Sequence, residues 1–81
     1  MKTIIFTPNA ARQLDALQKD VQDQILADLG AYATSGEGDV KRLKGRLGYR
    51  LRSGRYRVLF NEDQTTVLAI YIGKRETTTY R

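Results

Sequence analysis

The order of apolar and polar positions along the chain divides it into two regimes. Residues 2–6 are β-branched and aromatic, which predicts a short strand. Thr7-Pro8 follows as a helix start, with the hydroxyl free to cap and the proline in a first turn that needs no N–H. Ala10, Leu14 and Leu17 then recur at helical spacing. Asp20 can cap a second helix whose Val21, Ile25, Leu29 and Tyr32 form one stripe flanked by Leu26 and Ala33. The two segments read as a helical hairpin, and TSGEGD at residues 34–39 reads as a loop. Beyond residues 40–48 the period changes from helical to two. Residues 49–53 and 55–61 alternate, 62–64 form a polar turn, and 66–72 are apolar on both faces, as an inner strand requires. The expected fold is α+β: an N-terminal strand, a helical hairpin and a three-strand antiparallel meander. In it the helices cover one face of a four-stranded sheet and leave the other face free for work.

At 81 residues the chain makes one domain, 1–81, with a modest core. Its apolar runs are too short to span a bilayer, so no membrane partner is expected. MKTIIFTPN lacks the h-region of a secretory signal, which makes cytoplasmic residence the default. With no cysteine and no histidine, disulfides, cysteine zinc sites and histidine bases are excluded.

Charge changes this picture most. The net charge is +5, but the distribution is uneven: residues 1–40 carry three basic and six acidic side chains, residues 41–57 eight basic and none acidic, residues 58–81 three of each. The basic run Lys41, Arg42, Lys44, Arg46, Arg50, Arg52, Arg55 and Arg57 alternates with Leu43, Leu47, Tyr49, Leu51 and Tyr56. It is therefore strand within a fold and not a solvated tail. With Ser53-Gly54 as a two-residue turn of the stretch YRLRSGRYRVLF, Arg52 would pair with Arg55, Leu51 with Tyr56, Arg50 with Arg57, Tyr49 with Val58 and Leu47 with Phe60. Leu47, Tyr49, Leu51, Tyr56, Val58 and Phe60 would then face the core. Arg50, Arg52, Arg55 and Arg57 would share the other face with Leu59. Two arginine–arginine cross-strand pairs repel unless an anion lies between them. A guanidinium cannot relieve that repulsion by losing its proton, and its forked donors fit phosphate oxygens, so a nucleic-acid backbone is the simplest partner. The alternatives are a solvated edge that discourages aggregation, or pairing with Asp15, Asp23, Asp28 or Glu37, which belong to the helical layer. Tyr49, Tyr56 and Tyr71 are read as core or half-buried sheet residues, and Gly45, Gly48 and Gly73 as turn or close-approach positions.

RLKG at residues 42–45, YRLRSGRYRVLF and IGKRETTTY at residues 72–80 together resemble the RelE branch of the RelE/ParE superfamily, toxins of type II toxin-antitoxin modules. The resemblance spans nearly the whole chain. It implies a metal-independent, cofactor-free endoribonuclease that cuts mRNA in the ribosomal A site, together with a cognate antitoxin that wraps the toxin in a hetero-oligomer. It assigns Arg57 to the scissile phosphate, Arg75 to the leaving 5′ oxygen, Tyr80 to stacking on or orienting the nucleotide, and Arg50 to a position often held by a catalytic lysine. Lys41, Arg42, Lys44, Arg46, Arg52, Arg55 and Lys74 are the remaining RNA-binding candidates. A further family lysine is replaced by Gly48, and the spacing from Arg75 to Tyr80 is one residue short. The implied chemistry is attack of the ribose 2′ hydroxyl on the adjacent phosphate, leaving a 2′,3′-cyclic phosphate and a 5′ hydroxyl. A ParE-like inhibitor of DNA gyrase and a non-catalytic antitoxin decoy are the alternatives.

Overall fold

The computed structural model describes residues 1–44 and 48–74. The element order is β1 (Thr3–Phe6), α1 (Pro8–Asp15), α2 (Lys19–Ser35), β2 (Asp39–Arg42), β3 (Tyr49–Ser53), β4 (Tyr56–Glu62) and β5 (Thr66–Lys74). The strands lie in the order β1-β5-β4-β3-β2, antiparallel except for β1, which runs parallel to β5. The α+β class and the helix-covered sheet are as the periodicity predicts, but the sheet has five strands where the sequence suggested four. The additional strand, β2, is four residues long and, apart from Val40, exposed. An edge strand with one partly buried side chain leaves no alternating apolar signature to read.

Thr7 caps α1 as expected: its Oγ1 accepts from the Ala10 amide at 3.1 Å, with Pro8 in the first turn. The second helix begins earlier than its acidic residue suggested. Gln18 is its N-cap, and Asp20 sits in the first turn, where it favours the positive end of the helix dipole. Gly36, at φ 78°, ends α2 in the left-handed region and returns its N–H to the Tyr32 carbonyl. Neither helix is long and apolar enough to cross a membrane.

Ala10, Leu14, Ile25, Leu29 and Ala33 of the hairpin pack on Leu51, Val58, Phe60, Val67, Ala69 and Ile72 of the sheet. Phe60, 1% exposed, lies between Tyr32 and Tyr49, with ring centroids 5.3 and 5.5 Å away. Leu26, set beside the apolar stripe, is exposed. At one end of the molecule Lys2 Nζ donates to Glu62 Oε1 at 2.7 Å and the Tyr32 hydroxyl donates to Glu62 Oε2 at 2.6 Å, tying β1, α2 and β4 together. Burial together with the hydrogen bond to Glu62 pushes Tyr32 up to about 12. Burial would also raise Glu62, but its bonds to Lys2 and Tyr32 outweigh that and hold it below the usual carboxylate range.

A β-bulge interrupts the β4–β5 ladder. Leu59 pairs with Tyr71 and Phe60 with Ala69, which leaves Ile70 as the extra residue. Ala69 and Ile72 can therefore both face the helices although they are three apart, and both are buried. The helical layer holds the bulge. The Thr7 amide donates to the Ala69 carbonyl at 3.0 Å, Thr7 Oγ1 donates to the Ile70 carbonyl at 3.3 Å, and Gln13 Oε1 accepts the Ile72 amide at 2.7 Å.

Candidate nucleic-acid interface

The β3–β4 hairpin turns at Gly54-Arg55, one position later than the sequence reading placed it. Ser53 pairs with Tyr56, Arg52 with Arg57, Leu51 with Val58, Arg50 with Leu59 and Tyr49 with Phe60. The reason is conformational: the first central residue of a tight hairpin turn of this kind needs a positive φ, and Gly54 supplies it at 59°. Moving the turn by one residue changes every partner but preserves the faces, because pairing shifts by two. Leu51, Val58 and Phe60 still face the helices. One arginine–arginine pair remains, Arg52 with Arg57, where two were expected. Arg55 leaves the face altogether and lies exposed in the turn.

Across the open face, the register sets Asp39, Arg52, Arg57 and Gly73 in one row and Lys41, Arg50, Leu59 and Tyr71 in the next. Three arginines, Arg50, Arg52 and Arg57, thus converge on two central strands, with Lys41 at their margin. The acidic residue that answers them is none of those proposed from the helical layer. It is Asp39 on β2, whose Oδ2 lies 3.8 Å from Arg52 Nη1. Asp28, one of the expected partners, instead accepts the Ser53 hydroxyl at 2.6 Å on the helical side and fastens α2 to the hairpin tip.

Arg50 and Arg57 have no such relief among the described residues. The Nε of each is buried and has no hydrogen-bond acceptor among the described residues. A desolvated, charged donor without an acceptor is costly, and the arrangement suits an external anion whose oxygens could occupy both forks. Other candidate cations lie elsewhere. Arg42 shares the helical side with its partner Tyr49, its guanidinium carbon 6.0 Å from that ring's centroid. Lys74 pairs with Tyr56 and has the register of the same side. Lys44 is exposed in the turn after β2. Arg46, Leu47, Gly45, Arg75 and Tyr80 lie outside the described residues.

Tyr71 is a partly buried sheet residue on a different face from the other two sheet tyrosines. Tyr49 and Tyr56 pack against the core, whereas Tyr71 is 36% exposed on the open face beside Leu59. Its location follows from the bulge, which no local pattern announces.

Comparison with known proteins bears on this chain at the level of family and fold. The isolated RelE toxin of E. coli superposes with a TM-score of 0.75 at 22% identity, covering 98% of this chain and 89% of that one. The YoeB dimer from Staphylococcus aureus gives 0.74 at 20% identity over 94% and 98% of the two chains. The RelE–RelB complex from Pyrococcus horikoshii gives 0.75 at 21% identity over 95% and 98%. Among curated proteins none matches the chain. The family model described as the ParE toxin of the type II toxin-antitoxin system, parDE, matches residues 4–78. With that match across nearly its whole length and a RelE-like fold, the chain belongs to the RelE/ParE superfamily of toxin-antitoxin toxins.

Proposed function

We propose that the chain is a ribosome-dependent mRNA endoribonuclease of the RelE type. One observation carries the reading: Arg50 and Arg57, neighbours on the open face, each bury an Nε without an acceptor among the described residues. A phosphodiester met by turning these side chains outward would supply the missing oxygens and answer the Arg52–Arg57 repulsion at once.

In this reading Arg57 stabilises the additional charge of the pentacoordinate transition state as the 2′ hydroxyl attacks the adjacent phosphate. Arg50 holds a second phosphate oxygen. Arg75 assists the leaving 5′ oxygen and Tyr80 orients the nucleotide, both on the strength of resemblance. Lys41, Arg52 and, more distantly, Lys44, Arg46, Arg55, Arg42 and Lys74 add positive field along the path of the strand. The products are a 2′,3′-cyclic phosphate and a 5′ hydroxyl. Arginine stays protonated up to about pH 12 and free tyrosine to about pH 10, so neither is an efficient base at neutral pH. Catalysis then rests on charge stabilisation and on alignment of the RNA by the ribosome. The site of action is accordingly the cytoplasm.

The partner in this reading is an antitoxin whose acidic or amphipathic segment lies along the basic face or the helical hairpin. Relatives solved as RelB–RelE and YoeB–YefM complexes support it.

The test is single-turnover cleavage of mRNA on programmed ribosomes, read by primer extension. Arg57→Ala is expected to slow cleavage by about 100-fold or more. A variant as fast as the parent removes Arg57 from the mechanism. An intact message combined with inhibited gyrase supercoiling would select the ParE-like alternative suggested by the family description. Antitoxin binding with undisturbed translation and growth would select a decoy.

A further inference from the structure

We infer that Tyr71 is a substrate-contacting residue, an aromatic platform on which a nucleobase next to the Arg57-bound phosphate stacks, and that Gly73 exists to let its ring lie flat. This rests on the RNA-cleaving reading and extends it to a residue that reading does not use. The inference starts from the packing of β5. Tyr71 and Gly73 are two apart on the open face, and Gly73 pairs directly with Arg57. The tyrosine side chain folds along its own strand, so that a Cβ built on Gly73 would lie 2.6 Å from its Cζ and 2.7 Å from its Cε2. A side chain at this position would have to displace the far end of that ring. The hydroxyl end of Tyr71 therefore covers Gly73, one strand spacing, about 5 Å, from the Arg57 backbone.

The ring is not spent on the core. Tyr32 and Tyr49 both pack against Phe60 on the helical side, whereas the Tyr71 side chain has no ring contact and no hydrogen bond among the described residues. Leu59 lies directly opposite it, and the two form an apolar floor beside the arginines. A flat aromatic surface adjoining a basic groove is the arrangement that binds single-stranded nucleic acid: cations hold the backbone while a ring accepts any base. A ribose separates a base from its phosphate, and the register places Tyr71 and Arg57 on adjacent strands of the same face, within reach of one nucleotide.

Two measurements test this. The chain contains no tryptophan, so Tyr71→Trp introduces a single fluorophore at the platform. Titration with a 2′-O-methyl hexaadenylate, which cannot be cut by 2′-oxygen attack, is expected to quench its emission. Adding Gly73→Ala, which swings the ring off its strand, is expected to abolish most of the quench. In ribosome-dependent cleavage, Tyr71→Phe is expected to stay within about threefold of the parent. Tyr71→Ala and Gly73→Ala should each lose about 5- to 100-fold in kcat/KM, and the double variant no more than the worse single one. Binding of the hexanucleotide, seen by anisotropy of a labelled strand, without any quench overturns the inference. So does full cleavage by Tyr71→Ala. Should the parent leave messages intact, the endoribonuclease reading falls, and the quench alone decides whether the platform exists.

Discussion

Replacing Arg57 by methionine is expected to make the protein more stable while destroying its proposed activity. Arg57 faces Arg52 directly across the β3–β4 ladder, and its Nε is buried without an acceptor among the described residues. Like charges placed opposite one another cost about 0.2–1 kcal/mol. An unsatisfied buried donor costs about 1–3 kcal/mol. Because Arg52 is partly answered by Asp39 at 3.8 Å, and because the rest of the Arg57 residue is only half-buried, the lower part of each range applies. Methionine keeps the aliphatic stem and its packing but carries neither charge nor donor. The net gain is about 1–2 kcal/mol. In urea unfolding followed by circular dichroism, with a slope near 1 kcal/mol/M, the midpoint should rise by about 1–2 M. On heating, each 1 kcal/mol should raise Tm by about 4–8 °C for a domain of this size. Added salt should stabilise the parent more than the variant, since only the parent has repulsion to screen. A midpoint for Arg57→Met below that of the parent, at equal slope, would refute the idea that the site stores uncompensated charge.

The remaining predictions concern what holds the site in place. Ser53, 3% exposed, donates to Asp28 at 2.6 Å, so Ser53→Ala should cost about 1.5–3 kcal/mol in the same urea assay, the range for a hydrogen bond to a charged group. The Glu62 cluster predicts a pH dependence at both ends. Glu62 is held below its ordinary value, so its contribution is present above the ordinary carboxylate pKa and is lost as pH falls through the lower folded value. Glu62→Gln should therefore flatten the acid limb of a Tm–pH profile, and an unchanged limb would remove Glu62 from acid unfolding. Tyr32 is pushed up to about 12, so its contribution is complete below about pH 10 and is lost as pH rises toward 12. The stability gap between parent and Tyr32→Phe should close over that interval, and a constant gap would contradict the bond to Glu62.

Much of this protein is fixed by local pattern. The helical stripe Ile25, Leu29 and Ala33, the Thr7-Pro8 cap and the alternation that sends Leu51, Val58 and Phe60 inward all follow from side-chain periodicity and capping chemistry, which act within a few residues. The basic face is nearly as local: alternation commits Arg50 and Arg52 to one side, and Arg57 joins them in either two-residue turn because the two registers differ by two. The pairing itself depends on where a positive φ can be accommodated, which placed the turn at Gly54-Arg55 and left one arginine pair where alternation alone allowed two. The fifth strand exists only because β3 offers Asp39–Arg42 an edge, and Asp39 answers Arg52 only once that edge is filled. The bulge at Ile70 is likewise a product of assembly. Thr7 and Gln13, 63 and 59 residues away in sequence, satisfy the backbone groups that it displaces, and in doing so decide that Tyr71 lies on the open face beside the arginines. Periodicity determines which side a residue faces, whereas its neighbours are determined by hydrogen bonds between segments that meet only in the folded chain.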